Sequence, residues 1–389
     1  MLGGAVTVLV KEGRIAGVEP GYPEIGADWP VVEYPGATVL PGLVDAHVHL
    51  GGDSADGALD RLAGYPDDQL QDVIGTALRR QLAAGVTTVR DLGDRHWSAV
   101  AWRDRQRGTG LPAPLPAIIA SGPPITSVRG HCWSMGGQVQ GADALRAAVR
   151  ERADRRVDVV KIMVSGGAMT PGTDVMQCQF TLEELRIAVT EAHRLGLPVT
   201  GHAHGLPAVE RAVQAGVDGI EHCSCLTEGG IQLPGTLLDA IVTAGIEVCP
   251  TLGKTADAVP SPRVLELMRR TGMTYEKRQA FVAGLAQCGV RLVSGSDAGI
   301  SAGKPHGILP AAIADLVAGG LPASEALASA TSEAARACGV GDRKGQLKPG
   351  FDADLLLISG DPTTDIQRLA QVNTIIVQGS IVSTWADNR

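Results

Sequence analysis

Two histidines stand two residues apart in Val44-Asp45-Ala46-His47-Val48-His49, directly after the apolar run Ala37–Val44. In a strand, residues i and i+2 point to the same side, so His47 and His49 can grip one metal ion. Taken alone the pair is more often two ordinary core or surface histidines. Further along, other ligand types end apolar, strand-like runs. His202 closes Pro198-Val199-Thr200-Gly201, His222 closes Gly219-Ile220-Glu221, and Asp297 sits in a Gly/Ser-rich turn after Val290–Val293. Lys161 lies inside Val159–Val164, where a cation is costly to bury and must be paired, neutralised or modified. Imidazole and carboxylate suit zinc, and two divalent ions about 3.5–4 Å apart can share a hydroxide and polarise one carbonyl. Such a pair needs a bridging anion. A neutral lysine amine supplies one by capturing carbon dioxide as a carbamate.

Positioning these groups requires strands that all end on one side. From about Leu43 to Gly339 the chain alternates short apolar runs with helical patterns. Gly85–Arg90, Ala117–Ser121 and Gly245–Pro250 supply strands without a candidate ligand. Apolar residues at helical spacing predict helices over Asp68–Ala84, Ala142–Ala153, Thr181–Leu195 and Leu206–Ala215, with glycine following several of them. Later helices are expected over Gly235–Ala244, Pro262–Cys288, Leu309–Ala318 and Ala323–Cys338. Eight such alternations predict an α/β fold, a (β/α)8 TIM barrel, whose active sites gather at the strand C-termini. The two ends read differently. Val6–Val10, Arg14–Val18, Leu355–Ile358, Val372–Val377 and Ser380–Ser383 are short β-like runs separated by turn residues. They predict a small β-sandwich from residues 1–40 plus 341–389, around a barrel of residues 41–340.

Composition bounds the function. A formal charge of −8 argues against a nucleic-acid partner, and 3% aromatic residues leave few platforms for stacked bases. No run of about twenty apolar residues and no charged-then-apolar leader is seen, so no membrane partner is expected. Seven cysteines without a CxxC suit reduced thiols in a cytoplasm. Cys223 and Cys225 read as small buried residues beside a strand end, not as ligands. The cluster of Arg150, Glu151, Arg152, Arg155 and Arg156 reads as a solvated helix end.

The residues in this order resemble the amidohydrolase superfamily, specifically its imidazolonepropionase-like and prolidase-like branch, over essentially the whole chain. The superfamily's first-strand His-x-His, fourth-strand Lys, fifth- and sixth-strand His and eighth-strand Asp are matched by His47, His49, Lys161, His202, His222 and Asp297. Thr38–His47 looks like the family's approach to the barrel, and Lys348–Leu357 like its exit into the β domain. One departure is that relatives commonly begin with an extra strand before the segment matching Val6–Val10, so one strand is expected to be missing or to lie upstream.

The resemblance implies a binuclear site. His47, His49 and Asp297 would hold the more buried ion, His202 and His222 the other, with carbamylated Lys161 bridging and zinc the expected metal. It also implies an amide hydrolase acting on a dipeptide, an N-acyl amino acid or a related small amide through a metal-bridging hydroxide, with Asp297 as general base and then acid. His131 matches a histidine that relatives use near the substrate carbonyl or carboxylate. Arg129 beside it has the planar fork suited to a carboxylate. His204, two residues beyond His202, is expected to line the pocket or to support a ligand. Lys254 and His306 are weaker rim candidates. The alternatives are a cyclic amide, imide or lactone hydrolase, a heterocycle deaminase, which Lys161 disfavours, and a scaffold-type homologue that has lost its metals, which the full ligand set disfavours. Association of identical chains is left open.

Overall fold

The computed structural model describes residues 3–24, 26, 29–108 and 114–382. Eight parallel strands alternate with helices in two hydrogen-bonded runs. The first run is Leu43–Val48, Val86–Asp91 and Ala117–Ala120; the second is Val160–Met163, Val199–Gly205, Gly219–Thr227, Glu247–Cys249 and Arg291–Leu292, in that spatial order. Single parallel bridges join the runs at both ends, Ile125 to Ile162 and Val48 to Ala298. The molecule is therefore an α/β fold whose ladder passes between its two runs through isolated bridges. Residues such as Leu43–Val48 and Val86–Asp91 are buried throughout. That is the expectation for parallel strands covered on both faces.

Most helices fall within a residue of the expected bounds, at Asp67–Ala83, Ala142–Asp154, Leu182–Arg194, Leu206–Ala215, Gly235–Ala244 and Leu309–Ala318. Thr181 and Glu184 form a capping box ahead of Leu182. Two predicted helices are each divided. Pro262–Thr271 stops at Gly272, whose φ of 62° is left-handed, and Thr274 caps a second helix over Tyr275–Gln287. Ala323–Ser329 is likewise separated from Ser332–Ala337 at Thr331, whose φ of −130° and ψ of −96° are not helical. The polar helix Ser98–Gly108 was not expected, because it lacks a strong apolar stripe. Among the described residues no helix is long and apolar enough to cross a membrane.

The run Ala37–Val44, read as one strand, is cut at Gly42. Ala37–Pro41 pairs antiparallel with Leu355–Ser359 in a four-stranded sheet with Val372–Val377 and Ser380–Val382, while Leu43–Val48 enters the parallel run. The last position of the expected strand Ser380–Ser383 lies outside the described residues, as do 1–2 and 384–389. The hairpin Val6–Lys11 and Arg14–Pro20 packs on this sheet through Ile15, Val8, Val10, Phe351, Leu355 and Ile376. The two ends of the chain thus share an apolar cluster of their own.

Candidate metal centre

The C-terminal ends of the strands bring the predicted ligands together. His49 donates its backbone N–H to Ala298 O at 2.9 Å and Asp297 donates its own to His47 O at 2.7 Å, which ties the first strand to the last. Asp297 Oδ1 then lies 3.4 Å from His47 Nε2 and 3.3 Å from His49 Nε2. Gly295 permits this approach, since a Cβ there would stand 2.7 Å from the backbone nitrogen of His47. Asp297 itself adopts a left-handed φ of 58°, an uncommon conformation that turns its carboxylate toward the two imidazoles. Burial would raise the Asp297 pKa, but His47 and His49 hold it below the usual carboxylate range.

A second group faces the first. His202 and His222 approach to 2.8 Å, Nδ1 to Nε2, and the His204 ring stacks on that of His222 at 4.2 Å between centroids. The potential ligand atoms of these three residues lie within 4.8 Å of one another, as do those of His47, His49 and Asp297. Each imidazole of the second group has a partner on another nitrogen: Gly166 O for His202, Ser224 Oγ for His204 and Thr251 Oγ1 for His222. Such partners fix ring orientation and tautomer. Burial pushes His204 down to about 3, and His202 and His222 well below the usual imidazole range. It pushes His47 down to about 4, with Lys161 adding to the effect and Glu221 and Asp297 opposing it. In His49 the Asp297 carboxylate outweighs burial and raises the pKa. Neutral imidazole is the ligand form.

Lys161 lines the same cavity, of about 220 Å³, as both groups. It is 1% exposed and its Nζ has no hydrogen-bond partner among the described residues. Burial pushes its amine below the usual lysine range, against the opposing pull of Glu221 and Asp297. Nearly every buried polar atom in a folded protein is satisfied, so an orphaned amine points to a missing anion or a modification. Imidazoles and a carboxylate, beside a buried amine whose pKa burial lowers, form a donor set that suits a divalent ion such as zinc.

Other sequence candidates fall on both sides of the line. His131 lines the cavity, with Nδ1 2.8 Å from Thr170 Oγ1 and its ring 4.6 Å from that of His202; burial pushes it down to about 3. His204 takes part in the second ligand group itself. Arg129 is exposed and is not among the residues lining the cavity. It occupies the turn before His131 at a φ of 56°, which aligns its backbone N–H with Gln138 Oε1. Lys254 lies over the Tyr275 ring, and buried His306 bonds Gly52 O; neither lines the cavity. Cys223 and Cys225 are buried outside the ligand groups, as expected.

Several residues emerge only in three dimensions. Glu221 accepts from His47 Nδ1 at 2.7 Å, Thr200 Oγ1 at 2.7 Å and Arg90 Nη2 at 3.3 Å, a fully buried network under the first group. Asp45 accepts from Ser296 N and Oγ and so holds the turn that carries Asp297; burial raises its pKa to about 6. Lys304 Nζ donates to Thr251 O, Leu252 O and Ser296 O, tying two loops together. Arg278, from Tyr275–Gln287, completes the charged lining. A larger cavity, about 430 Å³, opens at the opposite ends of the strands among Arg90, Asp158, Asp218, Glu247, Arg291 and Arg336, away from both histidine groups.

Residues 38–382 match the amidohydrolase family. Ochratoxinase from Aspergillus niger is 28% identical over 386 residues, covering 90% of this chain and 78% of its own. Imidazolonepropionase from Shewanella loihica is 27% identical over 382 residues, covering 91% and 87%. The crystal structure of an Xaa-Pro dipeptidase with methionine in its active site aligns at a TM-score of 0.83 and 27% identity over 97% of this chain and 95% of that one. The family match takes in nearly the whole chain and every candidate ligand, and on that ground the chain belongs to the amidohydrolase family.

Proposed function

We propose that this protein is a two-metal hydrolase that cleaves the amide bond of a dipeptide, an N-acyl amino acid or a related small amide. In this reading residues 41–340 form a (β/α)8 barrel and residues 1–40 with 341–389 a small β-sandwich beside it. One observation carries the proposal: the amine of Lys161, with no hydrogen-bond partner among the described residues, lines the same cavity as two separate groups of ligand atoms. His47, His49 and Asp297 would hold one ion, His202 and His222 the other, and Lys161, carbamylated by carbon dioxide, would bridge them. When bound, a pair of divalent ions, zinc by preference of the donor set, polarises a scissile carbonyl and acidifies a water molecule. The ochratoxinase, imidazolonepropionase and Xaa-Pro dipeptidase relatives support carbon–nitrogen bond hydrolysis.

The chain's own side chains have distinct tasks. Asp297 accepts a proton from the attacking water and returns it to the leaving amine nitrogen. Glu221 keeps the Nδ1–H of His47 engaged, which leaves Nε2 unprotonated and free to coordinate. His131, with Nδ1 held by Thr170, offers Nε2 to the substrate carbonyl or carboxylate. Leu59, Met163, Met169, Val264 and Ile300 form the apolar wall that excludes bulk water and accepts an apolar substituent.

A hydrolysis screen of the metal-loaded protein tests the proposal across dipeptides, N-acyl amino acids, lactones, cyclic imides and aminated heterocycles. Turnover of the first two classes is expected. Turnover confined to the lactones, imides or heterocycles would contradict it, as would a metal-replete protein inert toward every class.

A further inference from the structure

We propose that Arg278 forms a subsite for a free carboxylate of the substrate, at the His222 end of the cavity, so that the enzyme selects amides bearing a carboxylate. This rests on the amide-hydrolase reading and narrows it. Arg278 lines the cavity from the helix Tyr275–Gln287, and its hydrogen bonds run from Nη2 alone, to Pro250 O and to Thr251 Oγ1. Thr251 Oγ1 is in turn 2.7 Å from His222 Nδ1, so the guanidinium stands one hydroxyl away from a candidate ligand. A guanidinium has five N–H donors in a planar fork. Those on Nε and Nη1 have no partner among the described residues, and no described carboxylate forms an ion pair with Arg278. Burial lowers the Arg278 pKa, which marks the cost of holding this cation without an anion beside it.

The other charged groups of the cavity cannot take this role. Lys304 already donates to three backbone carbonyls, which accounts for all three hydrogens of its ammonium. Lys161 as a carbamate is an anion. His47, His49, His202, His204 and His222 belong to the two ligand groups, and His131 is held by Thr170 through Nδ1. Asp297, whose field does reach Arg278, is engaged with His47 and His49. The described lining therefore holds one cation with donors to spare, and it faces the space where an amide would lie across the ligand groups. A fork that meets a carboxylate with two parallel bonds fits this vacancy better than it fits a neutral amide.

The test is equilibrium binding of N-benzoylglycine and N-benzoylglycinamide to the metal-loaded protein by calorimetry, with metal content measured on every sample. Wild type is expected to bind the acid about ten- to a hundredfold more tightly than the amide, the worth of a charge-assisted hydrogen bond. Arg278→Gln should collapse that ratio to near unity with metal content retained, whereas Arg129→Gln should leave the ratio intact. Arg278→Lys, which keeps the charge and loses the fork, should show a reduced ratio and decides the matter if Arg278→Gln does not fold. Equal binding of acid and amide by wild type, failure of the acid to bind, or an undiminished ratio in the Arg278 variants would each overturn the proposal. A strong acid preference in a protein that hydrolyses no amide would sink the hydrolase reading and leave the subsite standing. Amide hydrolysis indifferent to the carboxylate would do the reverse.

Discussion

Asp297 has two tasks that a single isosteric substitution separates. Its Oδ1 lies within reach of both His47 and His49, as a ligand must, and its carboxylate is also the proton acceptor of the proposed reaction. Asp297→Asn keeps an oxygen for coordination and removes the basicity. Turnover is expected to fall by about 10²- to 10⁴-fold, the range associated with positioned acid–base groups, while part of the metal remains bound. Steady-state kinetics beside elemental analysis checks this; near-normal turnover would place the proton acceptor elsewhere. At this scale the placement of side chains was legible wherever period-two alternation governs their direction, as in His47 and His49. It was not legible for Glu221. A regular strand would send Glu221 and His222 to opposite sides, but His222 at a φ of 69° breaks the alternation, and both side chains reach the neighbourhood of the His47 ring. Lys304 and Arg278 stayed hidden for a different reason: each reaches the cavity only because its loop or helix packs against Thr251.

Elements position these residues through close approaches that few side chains allow. Gly42 is the joint between the terminal sheet and the first strand of the parallel run, and a Cβ there would lie 2.1 Å from Thr87 Oγ1 and 2.9 Å from Thr87 Cβ. Rotating the threonine moves its Oγ1 but not its Cβ, so the backbone of a buried strand would have to shift. Gly42→Ala is therefore expected to destabilise the protein by about 1–3 kcal/mol, as overpacking does. The urea midpoint should fall while the slope is retained; an unchanged midpoint would show that the joint tolerates a side chain. The same glycine explains why one apolar run in the sequence serves two sheets, which hydropathy cannot reveal. Helix existence was readable from apolar spacing, yet the divisions at Gly272 and Thr331 were not, since apolar residues continue across both. Ser98–Gly108 was missed because its residues are largely polar, although it buries Ala99, Val100 and Arg103.

At the scale of the whole molecule, the candidate ligands come from strands of both hydrogen-bonded runs: His47 and His49 from the first, Lys161, His202 and His222 from the second, with Asp297 just after its last strand. Ions held there would link the two runs where the ladder itself passes through single bridges. The α/β class was legible because eight alternations of apolar run and helical pattern leave few other classes. A two-ion centre that depends on Lys161 is tested by the metal content of reconstituted protein, wild type against Lys161→Ala. Wild type is expected to hold close to two divalent ions per chain, and the variant one or fewer, with loss of hydrolysis. A wild type that binds no more than one ion, or a Lys161→Ala protein that keeps both, would contradict it.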